Sequence, residues 1–137
     1  MKIKCVNNSG KALPQRLKDA RLGLSEATQF HVTVGREYVV YGVTIFLGDV
    51  WYYICDDSFS YFPVWHPAII FSVVDGRISR FWTAAYRPSD QSSDEAFVVS
   101  FSEWASDGHF YGRLTDGETD AVQLFKNYKQ KMDAEFA

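Results

Sequence analysis

At 137 residues the chain is long enough for one domain to bury a core without disulfides or metals. A hydrophobic content of 47% and an aromatic content of 17% exclude a disordered chain. No stretch approaches the roughly 18 consecutive apolar residues of a membrane span, and the amino-terminal residues do not resemble a secretory signal. We therefore expect one soluble, cytoplasmic domain, residues 1–137, in which Cys5 and Cys55 are free thiols.

The formal net charge is only −3, but the charges are unevenly distributed. Residues 1–48 carry seven lysines and arginines against three acids, whereas residues 88–120 carry eight acids against one arginine. This asymmetry indicates an acidic face that attracts a basic partner and repels nucleic acid. Solvated acids that merely gather in loops and at helix starts would give the same pattern. The acids predicted to bind a partner here are Asp94, Glu95, Glu103 and Asp107.

Residues 1–27 predict one strand and one short helix. Residues 1–6 alternate apolar and basic side chains, as a short edge strand does. From Leu13 to Leu24 apolar residues recur at helical spacing, and Pro14 suits the first turn of a helix.

Residues 28–101 predict the β core, centred on the β-branched and aromatic run 35–57. We expect strands at 30–34, 37–46, 50–55 and 96–101. Gly42 is expected at a bulge or bend, and Gly48 and Asp49 at the centre of a type II′ turn.

Three further features are expected within this core. Residues 58–67 contain two prolines and predict an exposed aromatic loop instead of a central strand. Segments 68–74 and 78–83 flank Asp75 and Gly76, which predicts a hairpin. The polar stretch 85–95 predicts an exposed loop.

Residues 102–137 predict a helical carboxyl-terminal part. Ser102 is placed to cap a short turn, and residues 119–133 carry an apolar stripe with lysines toward the end. Together the segments predict a mainly β, α+β domain. We expect a small, strongly bent antiparallel sheet or barrel of about five to seven strands, with a short amino-terminal helix and a carboxyl-terminal helix.

No motif for catalysis, metal binding or cofactor binding stands out. His31, His66 and His109 are far apart, and none lies at metal-ligand spacing from a cysteine or another histidine. His66 falls in the predicted exposed loop. Asp56 and Asp57 are adjacent at a strand end, but neighbours in an extended chain point to opposite sides. We predict a turn there, and neither an enzyme, a metal nor a cofactor.

The aromatic side chains indicate function more clearly. Four tryptophans and eight tyrosines exceed what a core of this size needs, and both residue types are typical interface anchors. Tyr61 and Trp65 are the predicted anchors, although either could equally fill the rim of a barrel. Asp56 and Asp57 precede this loop and complete the predicted partner-binding residues.

Several segments resemble a group of small bacterial proteins with an SH3-like barrel, which have immunity functions in contact-dependent and other polymorphic toxin systems. These segments are GREYVVYG (35–42), WYYICDD (51–57), PVWHPAIIFSVVDGRISRFW (63–82), FSEW (101–104) and FYGRL (110–114). The resemblance spans residues 28–125 and consists mainly of turns and core aromatics. It implies an SH3-like barrel and an immunity role, and it carries over no binding residue.

Three functions are compatible with these observations. The first is an immunity protein that neutralises a cognate toxin; nuclease-type toxins present basic clefts that match an acidic, aromatic surface. The second is an adaptor that holds a peptide in an aromatic groove. The third is a small-ligand binder or enzyme with a pocket near Asp56, Asp57 and His66. We predict the first, with a basic protein toxin as partner and neither nucleic acid nor membrane.

Overall fold

The computed structural model describes residues 1–88 and 97–137, which form eight strands and three α-helices. The strands are β1 (Lys2–Cys5), β2 (Glu37–Val39), β3 (Gly42–Phe46), β4 (Asp49–Ile54), β5 (Val64–Pro67), β6 (Phe71–Asp75), β7 (Trp82–Tyr86) and β8 (Phe97–Phe101). The helices are α1 (Ser102–Ala105), α2 (Phe110–Thr115) and α3 (Thr119–Glu135).

The strands form two antiparallel sheets. The smaller has the order β2-β1-β6 and the larger the order β5-β4-β3-β8-β7. The predicted α+β fold with antiparallel strands and a carboxyl-terminal helix is therefore confirmed, but eight described strands in two sheets replace the single sheet or barrel of about five to seven. The described strands do not close into a barrel, because no strand of the smaller sheet pairs with the larger one.

The strand expected over residues 37–46 is divided between the two sheets. Val40 N–H donates to the carbonyl of Met1 and Tyr41 N–H to that of Tyr53, at 3.1 and 2.9 Å, so the chain changes sheet within two residues. Gly42 follows this bend. A Cβ there would lie only 3.1 Å from Cη2 of Trp104, so a side chain at this position would have to displace that ring by a few tenths of an ångström.

β3 and β4 form the predicted hairpin, but its turn lies one residue earlier than expected. Phe46 pairs with Asp49, which leaves Leu47 and Gly48 at the centre with φ of 50° and 79°. Positive φ at both positions defines a type I′ turn, so the predicted type II′ turn is wrong. Asp49 instead begins β4 and binds Arg16 at 2.9 Å.

The amino-terminal segment differs most from prediction. β1 is the central strand of its sheet, not an edge strand. The expected helix is replaced by short 3-10 turns, Gly10–Ala12, Gln15–Leu17 and Ala20–Leu22. The Ser9 and Asp19 side chains cap two of them, and such local hydrogen bonds compete with a continuous helix. Residues 30–34 form no strand.

The hairpin predicted at Asp75 and Gly76 is also wrong. β6 pairs with β1 and β7 pairs with β8, so the strands before and after the Asp-Gly pair belong to different sheets. The Asp75 carboxylate accepts a hydrogen bond from the Arg77 backbone N–H at 3.1 Å and ends the strand. Within the predicted loop 58–67, β5 is an edge strand, the position where a sheet tolerates proline.

The prediction for the carboxyl-terminal part agrees better with the structure than that for the amino-terminal segment. α3 contains the predicted helix 119–133 and buries Phe125 and Met132 of its stripe. Ser102 is the first residue of α1 and makes no cap, since Phe101 holds the cap position. α2 was not expected. Both sheets and the helices enclose two apolar clusters, and Trp65 and Trp82 pack against both.

Candidate functional site

Five carboxylates lie on the helices and turns that follow β8. They are Glu103, Asp107, Asp116, Glu118 and Asp120, which we call the acidic helical face. Asp107 is half-buried and the other four are exposed. Residues 102–120 contain one basic side chain, Arg113, so the face has an excess of negative charge.

Arg113 lies among three of these acids. Its Nη1 is 2.9 Å from an oxygen of Asp120 and 3.7 Å from one of Glu118, and its Nη2 is 3.7 Å from one of Asp107. A hydrogen bond from the Ala121 backbone, followed by the one from Arg113, holds the pKa of Asp120 below its usual range. Since one guanidinium cannot neutralise three carboxylates, the face stays acidic.

Glu103 and Asp107 also organise the helices. The Tyr128 hydroxyl of α3 donates to both oxygens of Glu103, at 3.0 and 2.9 Å, and its ring stacks on Phe101 at 4.2 Å. Asp107 accepts a hydrogen bond from the His109 backbone N–H at 2.9 Å, just before α2. The acidic face is therefore attached to ordered elements.

A groove of about 370 Å³ adjoins this face at the start of α3. It is lined by Tyr61, Gly117, Thr119, Val122, Gln123 and Lys126. The Tyr61 hydroxyl donates to the carbonyl of Thr115 at 2.8 Å, which fixes the ring at the end of α2. The structure thus brings Tyr61, one of the predicted anchors, next to the acids.

Trp65, the other predicted anchor, lies in the sheet. Its ring is half-buried on β5 and stacks on Trp51 and Tyr53, with centroids 4.6 and 6.3 Å apart. Such stacking belongs to the packing between the two apolar clusters. Of the two predicted anchors, Tyr61 therefore lies beside the acids, whereas Trp65 is a packing residue.

Asp56 is a buried residue, 7% exposed. One carboxylate oxygen lies 2.8 Å from Nε2 of His66, and the other accepts hydrogen bonds from the N–H and hydroxyl of Ser58. These bonds make the predicted turn after β4. With both oxygens engaged inside the protein, Asp56 is not available at the surface.

The expected exposure of His66 is wrong. Pairing of β5 with β4 places it opposite Tyr52 and leaves it 6% exposed, with its ring against the edges of Phe30 and Phe71. Burial lowers the pKa of His66, and the bond to Asp56 opposes that shift. Its Nδ1 has no hydrogen-bond partner among the described residues.

Asp57 lies in a separate network. It accepts hydrogen bonds from the hydroxyls of Thr33 and Tyr38, at 2.6 and 2.8 Å, and pairs with Arg36 at 2.9 Å. Burial raises the pKa of Asp57, but these partners together hold it below its usual range. The prediction that Asp56 and Asp57 do not converge is confirmed, and neither contacts a member of the acidic helical face.

Sequence reasoning missed three acids of the site, Asp116, Glu118 and Asp120. They were counted among the eight acids of residues 88–120. Because α2 was not predicted, however, no sequence pattern placed them near Glu103 and Asp107. The predicted Asp94 and Glu95 lie outside the described residues.

Two searches of the described residues, 1–88 and 97–137, gave nothing further. They contain no group of three or more histidine, cysteine or acidic side chains placed to hold a metal. Within the same ranges, no helix has the length and apolar character to cross a membrane.

Comparison with protein-family models, curated proteins and solved structures gives no match. The resemblance to immunity proteins therefore stays a prediction, as does the immunity role that it implies.

Proposed function

We propose that this chain is an immunity-type inhibitor that binds a basic protein, such as a nuclease-type toxin domain, in the cytoplasm. One observation supports this most directly: the five carboxylates of the acidic helical face have one arginine among them, Arg113, which pairs with three of the five. A toxin that acts on nucleic acid has a positively charged cleft, and an acidic surface is its complement.

The groove beside Tyr61 would supply the short-range part of this interaction. Tight interfaces combine a polar rim with a central pocket that takes a large side chain. The acids would speed association by steering, whereas a side chain held between Tyr61 and Val122 would slow dissociation.

The basic amino-terminal residues leave the acidic face free. Lys2 pairs with Glu37, Arg16 with Asp49, and Arg36 with Asp57, all outside the face. In the described part of the chain, Arg113 alone forms ion pairs with Asp107, Glu118 and Asp120. The negative charge is therefore available to a partner.

The test begins with proteins encoded beside this chain, co-expressed with and without it while growth is followed. We expect one of them to arrest growth and this chain to restore it. Binding is then measured for Asp116→Asn with Glu118→Gln, and for the control Glu26→Gln with Glu37→Gln. Both pairs remove two exposed charges. We expect the first pair alone to slow association, on the order of tenfold at low salt and less at high salt.

Three results would count against the proposal. An equal effect of both double variants would mean that only net charge matters, not the acidic helical face. Loss of binding with Tyr61→Ala but not with the charge variants would favour the peptide-groove adaptor. Absence of any neutralised neighbour would overturn the inhibitor function itself.

A further inference from the structure

A second cavity, of about 320 Å³, lies at the carboxyl end of α3. Its lining residues are Arg77, Ile78, Arg80, Lys131, Ala134, Glu135 and Phe136. α3 has 17 residues, so at about 1.5 Å per residue this cavity is separated from Glu118 and Asp120, at the start of the helix, by roughly the length of the helix.

Two cations at this cavity lie close to one aromatic ring. The Arg80 guanidinium and the Lys131 ammonium are 4.9 and 5.6 Å from the centre of Phe81, and Lys131 is also 5.3 Å from that of Tyr128. Neither forms an ion pair with a carboxylate of residues 1–88 or 97–137. Both side chains line the cavity without a carboxylate partner, so each is able to bind an anion that enters it.

Arg77 adds a third donor. Its Nε and Nη2 bind Asp75, at 3.0 and 2.6 Å, and its guanidinium lies 5.3 Å from the centre of the Phe136 ring. These contacts hold the group rigidly at the cavity. Its Nη1 makes no hydrogen bond to the described residues, so that nitrogen remains able to donate to a ligand.

Glu135 is the acid of the cavity, and its oxygens are already engaged. One accepts a hydrogen bond from the Ser79 hydroxyl at 2.5 Å and the other from the Arg80 backbone N–H at 3.0 Å. Because both donors are neutral, Glu135 keeps its charge, but among the described residues it forms no ion pair with Arg80 or Lys131. The carboxyl end of α3 carries a partial negative charge, which attracts cations. This charge is only about half an elementary charge, less than that of one carboxylate.

We propose that this cavity binds the phosphate group of a small molecule, held by Arg80 and Lys131 with Nη1 of Arg77 as a further donor. Arginine and lysine together are typical phosphate ligands, the first through its planar fork and the second as a point charge. The cavity volume lies at the lower end of small-molecule sites, which suits a phosphomonoester of mononucleotide size.

The test titrates the full chain with inorganic phosphate and with a nucleoside monophosphate, against chloride at equal ionic strength. Amide shifts of residues 77–81 and 131–136 report binding. We expect saturable shifts with both phosphates and a loss of at least about tenfold in affinity for Arg80→Gln with Lys131→Gln. The control pair is Lys11→Gln with Arg16→Gln, which removes the same charge from the exposed amino-terminal segment and should bind as the wild type does.

Arg80 and Lys131 are exposed, so their replacement should leave the fold intact, which the melting temperature checks. Tighter binding of the nucleoside monophosphate would show that the rest of the ligand fills the cavity. Equal binding of both would assign the site to the phosphate group alone. Shifts no larger than with chloride, or equal losses in both double variants, would overturn the proposal. This site is at the other end of α3 from Asp116, Glu118 and the groove beside Tyr61, which the inhibitor test uses, so its failure leaves the inhibitor function untouched.

Discussion

Asp56 and Asp57 are neighbours in the chain but stabilise different parts of the protein. Asp56 faces the interior and binds His66, whereas Asp57 binds Thr33, Arg36 and Tyr38 and holds the loop before β2. Each carboxylate is occupied by intramolecular hydrogen bonds. The acids whose charge is not fully neutralised within the protein are instead those of the acidic helical face. None of them belongs to a strand.

The buried His66 makes stability depend on pH. Its pKa is lowered from 6.5, chiefly by burial, so the unfolded chain takes up this proton at a higher pH than the folded one. The contribution of His66 to the free energy of unfolding should therefore be fully retained above pH 6.5 and decrease as the pH falls below it. Urea unfolding between pH about 7.5 and 5 measures this decrease.

The variant His66→Gln keeps an N–H to face Asp56 but does not titrate, so the decrease over this range should become smaller. The part that remains comes from the amino group of Met1, whose pKa burial lowers from 8.0 to about 6. His109→Gln is the matched control, because it removes an exposed imidazole. The aspartates with lowered pKa, such as Asp75 at about 2, lose their contribution only at much lower pH. A decrease as large in His66→Gln as in the wild type would contradict the assignment.

Among the elements, α3 connects packing with the two candidate sites. Its buried side chains, Ala121, Phe125 and Met132, cover the second apolar cluster. Two polar contacts fix it further: the Tyr41 hydroxyl donates to Asp133 at 2.5 Å, and Tyr128 binds Glu103. Because the helix is anchored along its length, Asp120 of the acidic helical face and Lys131 of the second cavity are both held on a rigid element.

Two glycines give opposite expectations for the same substitution. A Cβ at Gly10 would lie 1.9 Å from the backbone oxygen of Ser25, so Gly10→Ala must displace the chain and should destabilise the fold by about 2 kcal/mol or more. At Gly112 in α2 a Cβ meets nothing within 4 Å, so Gly112→Ala should stabilise by up to about 1 kcal/mol.

Urea unfolding of the two alanine variants gives both values. The first amino-terminal turn packs tightly against residues 25 and 26, whereas a Cβ at residue 112 of α2 would have free space around it. If Gly10→Ala proved as stable as the wild type, that close packing would be refuted. Destabilisation by Gly112→Ala would instead show that α2 is not helical at this position.

On the scale of the whole molecule, the two sheets share their packing. The chain passes from one sheet to the other at Val40 and Tyr41, and Trp65 and Trp82 contact both apolar clusters. Neither sheet can lose its packing without exposing these rings. We therefore expect both sheets to unfold in a single step.

Thermal or urea unfolding followed by tryptophan fluorescence and by far-ultraviolet circular dichroism should give coincident transitions. Trp65→Ala should destabilise the protein by about 3 kcal/mol and leave the transitions coincident, because it weakens both clusters together. Lys126→Ala, on the exposed face of α3, serves as the control and should change stability little. Two separate transitions in the wild type would show that the sheets unfold independently.

Local patterns predicted much of the fold. The β-branched and aromatic residues of β4 and β8, the apolar stripe of α3 and the turn at Asp56 all follow from side chains close together in sequence. A bulge or bend was expected at Gly42, but the division of that strand between two sheets at Val40 and Tyr41 was not. The turn at Leu47 and Gly48 was misplaced by one residue because Asp49 is more typical of turns than leucine, although Asp49 pairs with Phe46 in the ladder.

The sequence by itself determined the fold class, the position of α3 and the excess of acids after β8, because each depends on composition or on a short period. Only the tertiary structure decided which strands pair, and hence that Asp75 and Gly76 separate two sheets and that His66 is buried. It also brought Tyr61 to the acidic helical face and set Arg80 and Lys131 around one ring. Such contacts join residues tens of positions apart, and their free energy comes from burial and pairing that no local pattern encodes.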